Sequence, residues 1–136
     1  MADEVMIGII PDLQHRAGFL RYEHCTLVVT DRRLIVALAT KEMRRVEGAS
    51  VHERHRRMSP DALLAETAGN RAIPLAEVES ARLERGDFGG DNDVPHPDRL
   101  ILRTKGGKEV FTFGSSALPV AEAKDLLRRA LGDRVR

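Results

Sequence analysis

TLVVTDRRLIVALAT, residues 26–40, sets two apolar, largely β-branched runs on either side of Thr30-Asp31-Arg32-Arg33. That text asks for a tight antiparallel hairpin whose strands are buried on both faces, because Leu, Val and Ile fill successive positions instead of alternate ones. Strand two runs from about His24 to Thr30 and strand three from about Arg33 to Ala39. In the turn, Asp31 is expected to bond backbone amides and Arg33 to cover a barrel edge. The rest of the chain has to cover this hairpin.

Upstream, Val5–Ile10 is a short apolar run that Pro11 should end, since proline cannot donate to a ladder. Residues 11–21 then read as a polar connector. Downstream, 41–58 (KEMRRVEGASVHERHRRM) is charged, without period 2 and with sparse apolar positions. It reads as an excursion from the domain, partly helical or mobile. Ser59-Pro60 caps and opens a short helix through Ala62–Ala68 that Gly69-Asn70 ends. Ile73 and Leu75 flank Pro74 in a brief edge piece, and a strand covers about Glu79–Arg85. Residues 86–98 are a turn-rich acidic loop. Arg99–Thr104 and Lys108–Gly114 form a second hairpin turned by Gly106-Gly107. Last, Val120, Ala123, Leu127, Ala130 and Leu131 share one helical face, with Ser115 or Ser116 as cap and Gly132 as stop.

The chain of 136 residues fits one domain over 1–136, with 41–70 as a charged excursion and short helix inside it. It has one cysteine, Cys25, placed in the hairpin, so no internal disulfide exists and a reducing compartment is expected. With no basic leader and no membrane-length apolar run, the expected location is cytoplasmic, peripheral at most to the inner face of the membrane. Tryptophan is absent, and with one Tyr and four Phe base-stacking platforms are hard to build, which disfavours nucleic acid as partner. Net charge is +1, but residues 41–60 carry six basic and three acidic groups, 61–98 three and nine, and 99–136 nine and four.

The segments CTLVVTDRRLIVA, SPDALLAETAGNRAIPLAEVESARL and RLILRTKGGKEVFTF, the last followed by a helix, resemble prokaryotic pleckstrin-homology-like (PH-like, GRAM-like) domains. The resemblance implies a mainly β fold: a PH-like barrel of about seven strands capped by a C-terminal α-helix, with a helical excursion between strands three and four. It also implies a binding module, not an enzyme, acting on membrane lipids, peptides or copies of itself. Eukaryotic phosphoinositide-binding members concentrate basic residues between strands one and two. That stretch here offers His15, Arg16 and Arg21, so inositol-phosphate recognition there is not favoured.

The expected function is therefore non-catalytic: protein–protein contact or self-assembly through strand edges and the excursion, where Met43, Val46, Val51 and Met58 could pack on a neighbour. The alternative is peripheral binding to anionic membrane lipids. Candidate binding residues are Lys41, Arg44, Arg45, Arg54, Arg56 and Arg57, which could meet an anionic surface at about 1 kcal/mol per residue. Against them, Glu42, Glu47 and Glu53 could neutralise half that charge in local pairs. No cofactor and no metal is expected. His52 and His55 with His96 or Cys25 lack the spacing of a zinc site and read as exposed imidazoles. Asp91, Asp93 and Asp98 lack a calcium loop's glycine and glutamate. Asp87-Phe88-Gly89 without other kinase motifs is chance.

Overall fold

The computed structural model describes residues 3–18, 21–86 and 97–136. The β strands are β1 (Met6–Gly18), β2 (Arg21–Thr30), β3 (Arg33–Leu38), β4 (Arg71–Pro74), β5 (Val78–Glu84), β6 (Arg99–Thr104) and β7 (Gly107–Phe113). Between β3 and β4 stand three helices, α1 (Lys41–Glu47), α2 (Ser50–Arg57) and α3 (Pro60–Glu66), and α4 (Val120–Leu131) follows β7. All strand pairs are antiparallel, in the order β4-β3-β2-β1-β7-β6-β5. The chain is thus mainly β, a seven-stranded barrel-like sheet capped by a C-terminal helix with a helical excursion between the third and fourth strands, the architecture the sequence called for.

The barrel closes without a ladder between its end strands. The Arg71 guanidinium on β4 instead grips the Glu109 carboxylate on β7 with two hydrogen bonds, one of them 3.0 Å. His15 Nε2 lies 3.0 Å from the same carboxylate, and its ring stacks on Phe111. Hydrogen bonds from His15 and Arg71 outweigh burial and bring the Glu109 carboxyl down to about 2. Along the outer edge of β5, residues Val135–Arg136 add themselves: Arg136 N donates to Ala81 O at 2.8 Å and Leu83 N to Arg136 O at 3.1 Å. Over Ala81–Leu83 that edge is therefore covered by residues Val135–Arg136.

The β2–β3 hairpin is buried on both faces, for two different reasons. Leu27, Val29, Leu34 and Val36 point into the barrel, where Ile10, Leu13, Leu100, Leu102 and Phe111 meet Ala123, Leu126, Leu127 and Leu131 of α4. Val28, Ile35 and Ala37 point outward into a second cluster with Ile9 and Leu63, which α3 supplies. Within 41–58 it is α2 that packs on the sheet, burying Val51, His52 and His55 beside β1 and β2, whereas α1 buries none of its side chains. α2 needs few apolar side chains because the strands contribute the rest of the contact.

Three local expectations change. Pro11 does not end strand one: β1 continues to Gly18 through a bulge between Ile10 and Leu13, with Asp12 at φ 56°. A bulge is where a central strand accepts proline, since the extra residue leaves the ladder unpaired. At the β2–β3 turn it is Thr30, not Asp31, that bonds the amides. Thr30 Oγ1 accepts from Arg32 N (3.1 Å) and Arg33 N (3.0 Å), while Asp31 Oδ1 accepts from Val5 N (3.0 Å). Arg33 does not cover an edge: it stands on β3 between β2 and β4, opposite Pro74, and pairs with Glu4 at 2.9 Å. Finally, α4 has Pro119 at its N-cap position with no side-chain cap, and Ser116 N donates instead to Asp12 Oδ2 (2.9 Å).

α4 sits close enough to β1 that a Cβ on Gly8 would fall 2.7 Å from Leu126 Cδ1. Leu127, with no exposed surface, is the deepest anchor of this contact. We expect Leu127→Ala to lower unfolding free energy by about 2–5 kcal/mol, and Arg56→Ala by less than about 0.5 kcal/mol. Urea denaturation checks both, and a Leu127→Ala protein as stable as the parent would mean that α4 is not docked.

Candidate functional site

Two constellations carry chemistry, one shut in under the helices and one open at an end of the barrel. The first begins at Thr26, a hydroxyl in the middle of β2 that faces outward opposite Ala37 and is fully buried. α2 lies over it and presents Val51, His52 and His55 downward. Thr26 Oγ1 is 2.6 Å from His52 Nδ1 and 2.8 Å from His55 Nδ1. On its far side His55 Nε2 meets Glu66 Oε1 of α3 at 3.0 Å. Glu66 also receives Arg54 Nη1, and Arg54 in turn grips Glu47 at 2.6 and 3.0 Å.

Donor counting fixes the protons in this chain. Burial would raise the Glu66 carboxyl, but hydrogen bonds from Arg54 and His55 hold it below its ordinary value, so it is an acceptor. His55 Nε2–H therefore donates to it, His55 Nδ1 accepts the Thr26 proton, and the Thr26 oxygen accepts from His52 Nδ1–H. Both roles of the hydroxyl are spent. A carboxylate, an imidazole and a hydroxyl in line form the outline of a nucleophilic triad, but a nucleophile must be reachable. Thr26 has no exposed surface, so this arrangement fastens α2 and α3 to the sheet.

The second constellation is a pocket of about 260 Å³ between the start of β2 and the β3–α1 junction. Arg21, Tyr22 and His24 form one wall, Lys41 and Arg44 the other, and Glu23 is its one carboxylate. Thr40 starts α1 here by accepting from Met43 N at 3.2 Å, which aims Lys41 and Arg44 back over the strand ends. Arg44 Nε donates to Ala39 O (3.1 Å). Burial and then the Arg44 charge lower the His24 pKa, so the imidazole is neutral at neutral pH. Tyr22 is 55% exposed.

The six cations picked from sequence therefore separate. Lys41 and Arg44 share the pocket. Arg45 pairs with Glu42 (2.5 Å), Arg56 with Glu53 (3.5 Å) and Arg54 with Glu47, so all three glutamates of the segment are used as local counter-ions. Arg56 also lines a different groove, beside α4, and Arg57 is exposed at the end of α2. The exposed-histidine reading is overturned: His52 and His55 are buried because α2 turns its His52/His55 face to Thr26. Cys25 belongs to the core inside the barrel, on the opposite face of β2 from Thr26 and the two rings, and burial there pushes its thiol up to about 12. His96, Asp91, Asp93 and Asp87-Phe88-Gly89 lie outside the described residues, and Asp98 Oδ1 accepts from Gly86 N at 2.5 Å. Sequence reasoning missed Thr26, Glu66 and Tyr22. A lone hydroxyl within an apolar run was the available signal for Thr26, and nothing local marked Glu66.

No protein-family model matches the chain, and no curated protein matches it. Among solved structures, it is similar to the hSac2 domain from human phosphoinositide phosphatase Sac2, with a TM-score of 0.52 at 14% identity over 99% of this chain and 76% of that one. At that identity the likeness is one of fold.

The buried imidazoles give a pH signature. Burial lowers the pKa of both His52 and His55 in the folded protein, and Glu66 only partly offsets this for His55. Below the ordinary value of 6.5 the unfolded chain takes up protons that the folded chain refuses. Stability is therefore full above about pH 6.5 and falls as pH drops below it. Urea titrations from pH 8 to 5.5 check this, and flat stability over that interval would contradict the burial of the two rings.

Proposed function

We propose that the chain is a non-catalytic interaction module that attaches peripherally to an anionic membrane surface through the barrel end built by Arg21, Lys41 and Arg44. One observation carries the reading: three cations from two separate segments line a single pocket, and none of them is ion-paired among the described residues. Each would contribute about 1 kcal/mol near an anionic surface, giving weak, salt-sensitive attachment. The exposed Tyr22 ring suits the headgroup level, apolar in body and polar at its tip, and Val46 on α1 is 73% exposed. The barrel interior is filled by the side chains of the main core, and the hydroxyl–imidazole–carboxylate chain is sealed, which supports a binding role over a catalytic one. That a chain of similar fold belongs to a phosphoinositide phosphatase is a further, weaker support.

A second reading, protein contact or self-assembly, draws on the edge of β1. Strand alternation turns the Ile9 N–H and C=O away from β2, and β7 pairs with β1 only over Leu13–His15. A groove of about 330 Å³ runs beside Ile7–Ile9, with Leu118 and Leu126 as its apolar wall. Light scattering after size exclusion tests the self-assembly arm, and a 15.1 kDa species at high concentration removes it.

For the membrane reading, sedimentation with vesicles containing phosphatidylserine should carry the protein down at low salt and release it at moderate salt. Arg21→Ala/Lys41→Ala/Arg44→Ala together should weaken partitioning by about a hundredfold. Equal recovery in the supernatant with and without vesicles would sink the proposal.

A further inference from the structure

We infer that the outer face of β5, β6 and β7 is a separate binding site, for a compact oligophosphate. Alternation along these strands sends Ala81, Leu100, Leu102 and Phe111 into the barrel and leaves Arg82, Arg103 and Lys108 exposed on the opposite face. α2 and α3 pack on β1–β3 and α4 packs into the barrel core, so no helix among the described residues roofs this face. Together with Ser80 and Arg136 the three cations line a concavity of about 520 Å³. Glu84, the one side-chain carboxylate lining it among the described residues, is engaged by Arg99 at 3.2 Å. Arg82, Arg103 and Lys108 have no acidic partner among the described residues.

The register sharpens the point. Arg103 stands directly opposite Lys108 in the β6–β7 ladder, and like charges facing each other across a pair destabilise a sheet. A local choice that works against the fold marks a place where something else is being served. Arg103 and Lys108 stand side by side roughly 4.8 Å apart, Ser80 lies opposite Arg103 on the other side, and Arg82 follows two residues along β5 opposite Ile101, so the three cations surround one spot from two directions, as a short run of phosphates requires. Arginine forks grip phosphate oxygens in pairs, and the Ser80 hydroxyl adds a donor.

Other polyanions fit less well. A concavity of this size is on the scale of small-ligand sites, roughly 300–1,000 Å³. Ile101, half-buried, is the apolar side chain of the lining, so there is no anchor to insert into lipid and no aromatic platform for bases. Glu84 tied to Arg99 leaves the free positive charge concentrated within the concavity instead of along a track.

Inorganic tripolyphosphate is the probe. At low ionic strength it should raise the melting temperature of the intact chain in a concentration-dependent way that sulfate at equal ionic strength does not reproduce. Arg82→Ala/Arg103→Ala should weaken the apparent affinity by at least about tenfold. Its unliganded melting temperature should stay level or rise, because the like-charge opposition is relieved, which separates lost binding from lost folding. The Arg21→Ala/Lys41→Ala/Arg44→Ala protein should keep the response, so this inference and the membrane reading fail independently. The inference is overturned by no shift beyond that of sulfate, by a shift unchanged in Arg82→Ala/Arg103→Ala, or by a shift lost in the Arg21/Lys41/Arg44 variant. Tighter binding, per phosphate, of a mixed-sequence DNA duplex or of anionic vesicles at Arg82 and Arg103 would replace it with a different ligand class.

Discussion

The structure depends on one constraint: the β2–β3 hairpin is apolar on both faces and must be covered twice. A sheet with one apolar face is satisfied by a single packing partner, and the usual alternation of in and out follows. Here Leu27, Val29, Leu34 and Val36 require an interior, which the curled sheet and α4 supply. Val28, Ile35 and Ala37 require a second roof, which Leu63 and the excursion supply. The insertion between β3 and β4 is therefore part of the fold's stability. Each large side chain of that outer cluster taken out of water contributes on the order of 1.5–3 kcal/mol.

Covering an apolar face with short, charged helices raises a second problem, that of register. An oily contact tolerates sliding, whereas a buried hydroxyl that must give one proton and receive another does not. Thr26, held between His52 and His55 at 2.6 and 2.8 Å, fixes where α2 sits along β2, and Glu66 fixes α3 against α2. Burying such groups costs stability unless every partner is in place. No buried side-chain polar atom among the described residues is left without a hydrogen-bond partner. The same completeness takes up both hydrogen-bonding roles of the hydroxyl inside the protein.

How far the sequence could be read follows from the range over which each signal acts. The β2–β3 hairpin, the β6–β7 hairpin and α4 announce themselves through periodicity within ten or so residues, and all three stand where expected. Pro11 misled because its local meaning, the end of a strand, is overruled by a bulge that only the pairing partners on β2 reveal. The excursion is helical, as the sequence allowed, but its packing was not legible, because its apolar positions are too few for a helix that must bury itself alone. They suffice when β1–β3 provide the other half of the contact. Likewise the cations of 41–57 formed one block in sequence, yet Lys41 and Arg44 meet Arg21 while Arg54 is consumed by Glu47 and Glu66.

Charge, finally, is distributed by the sheet and not by the chain. The near-neutral total of +1 conceals that acidic groups are spent inside the framework: Glu4 on Arg33, Glu47 and Glu66 on Arg54, Glu109 on Arg71. These ties take up four carboxylates and three arginines, so what sets the remaining cations apart is where they stand and not an excess in number. Those cations collect where strands end, at Arg21 and Lys41, and where a sheet face has no helix over it, at Arg82, Arg103 and Lys108. Fixed strands hold these charges at set spacings, and an anion placed among them would relieve their mutual repulsion, which is the physical reason to look for anions at both places.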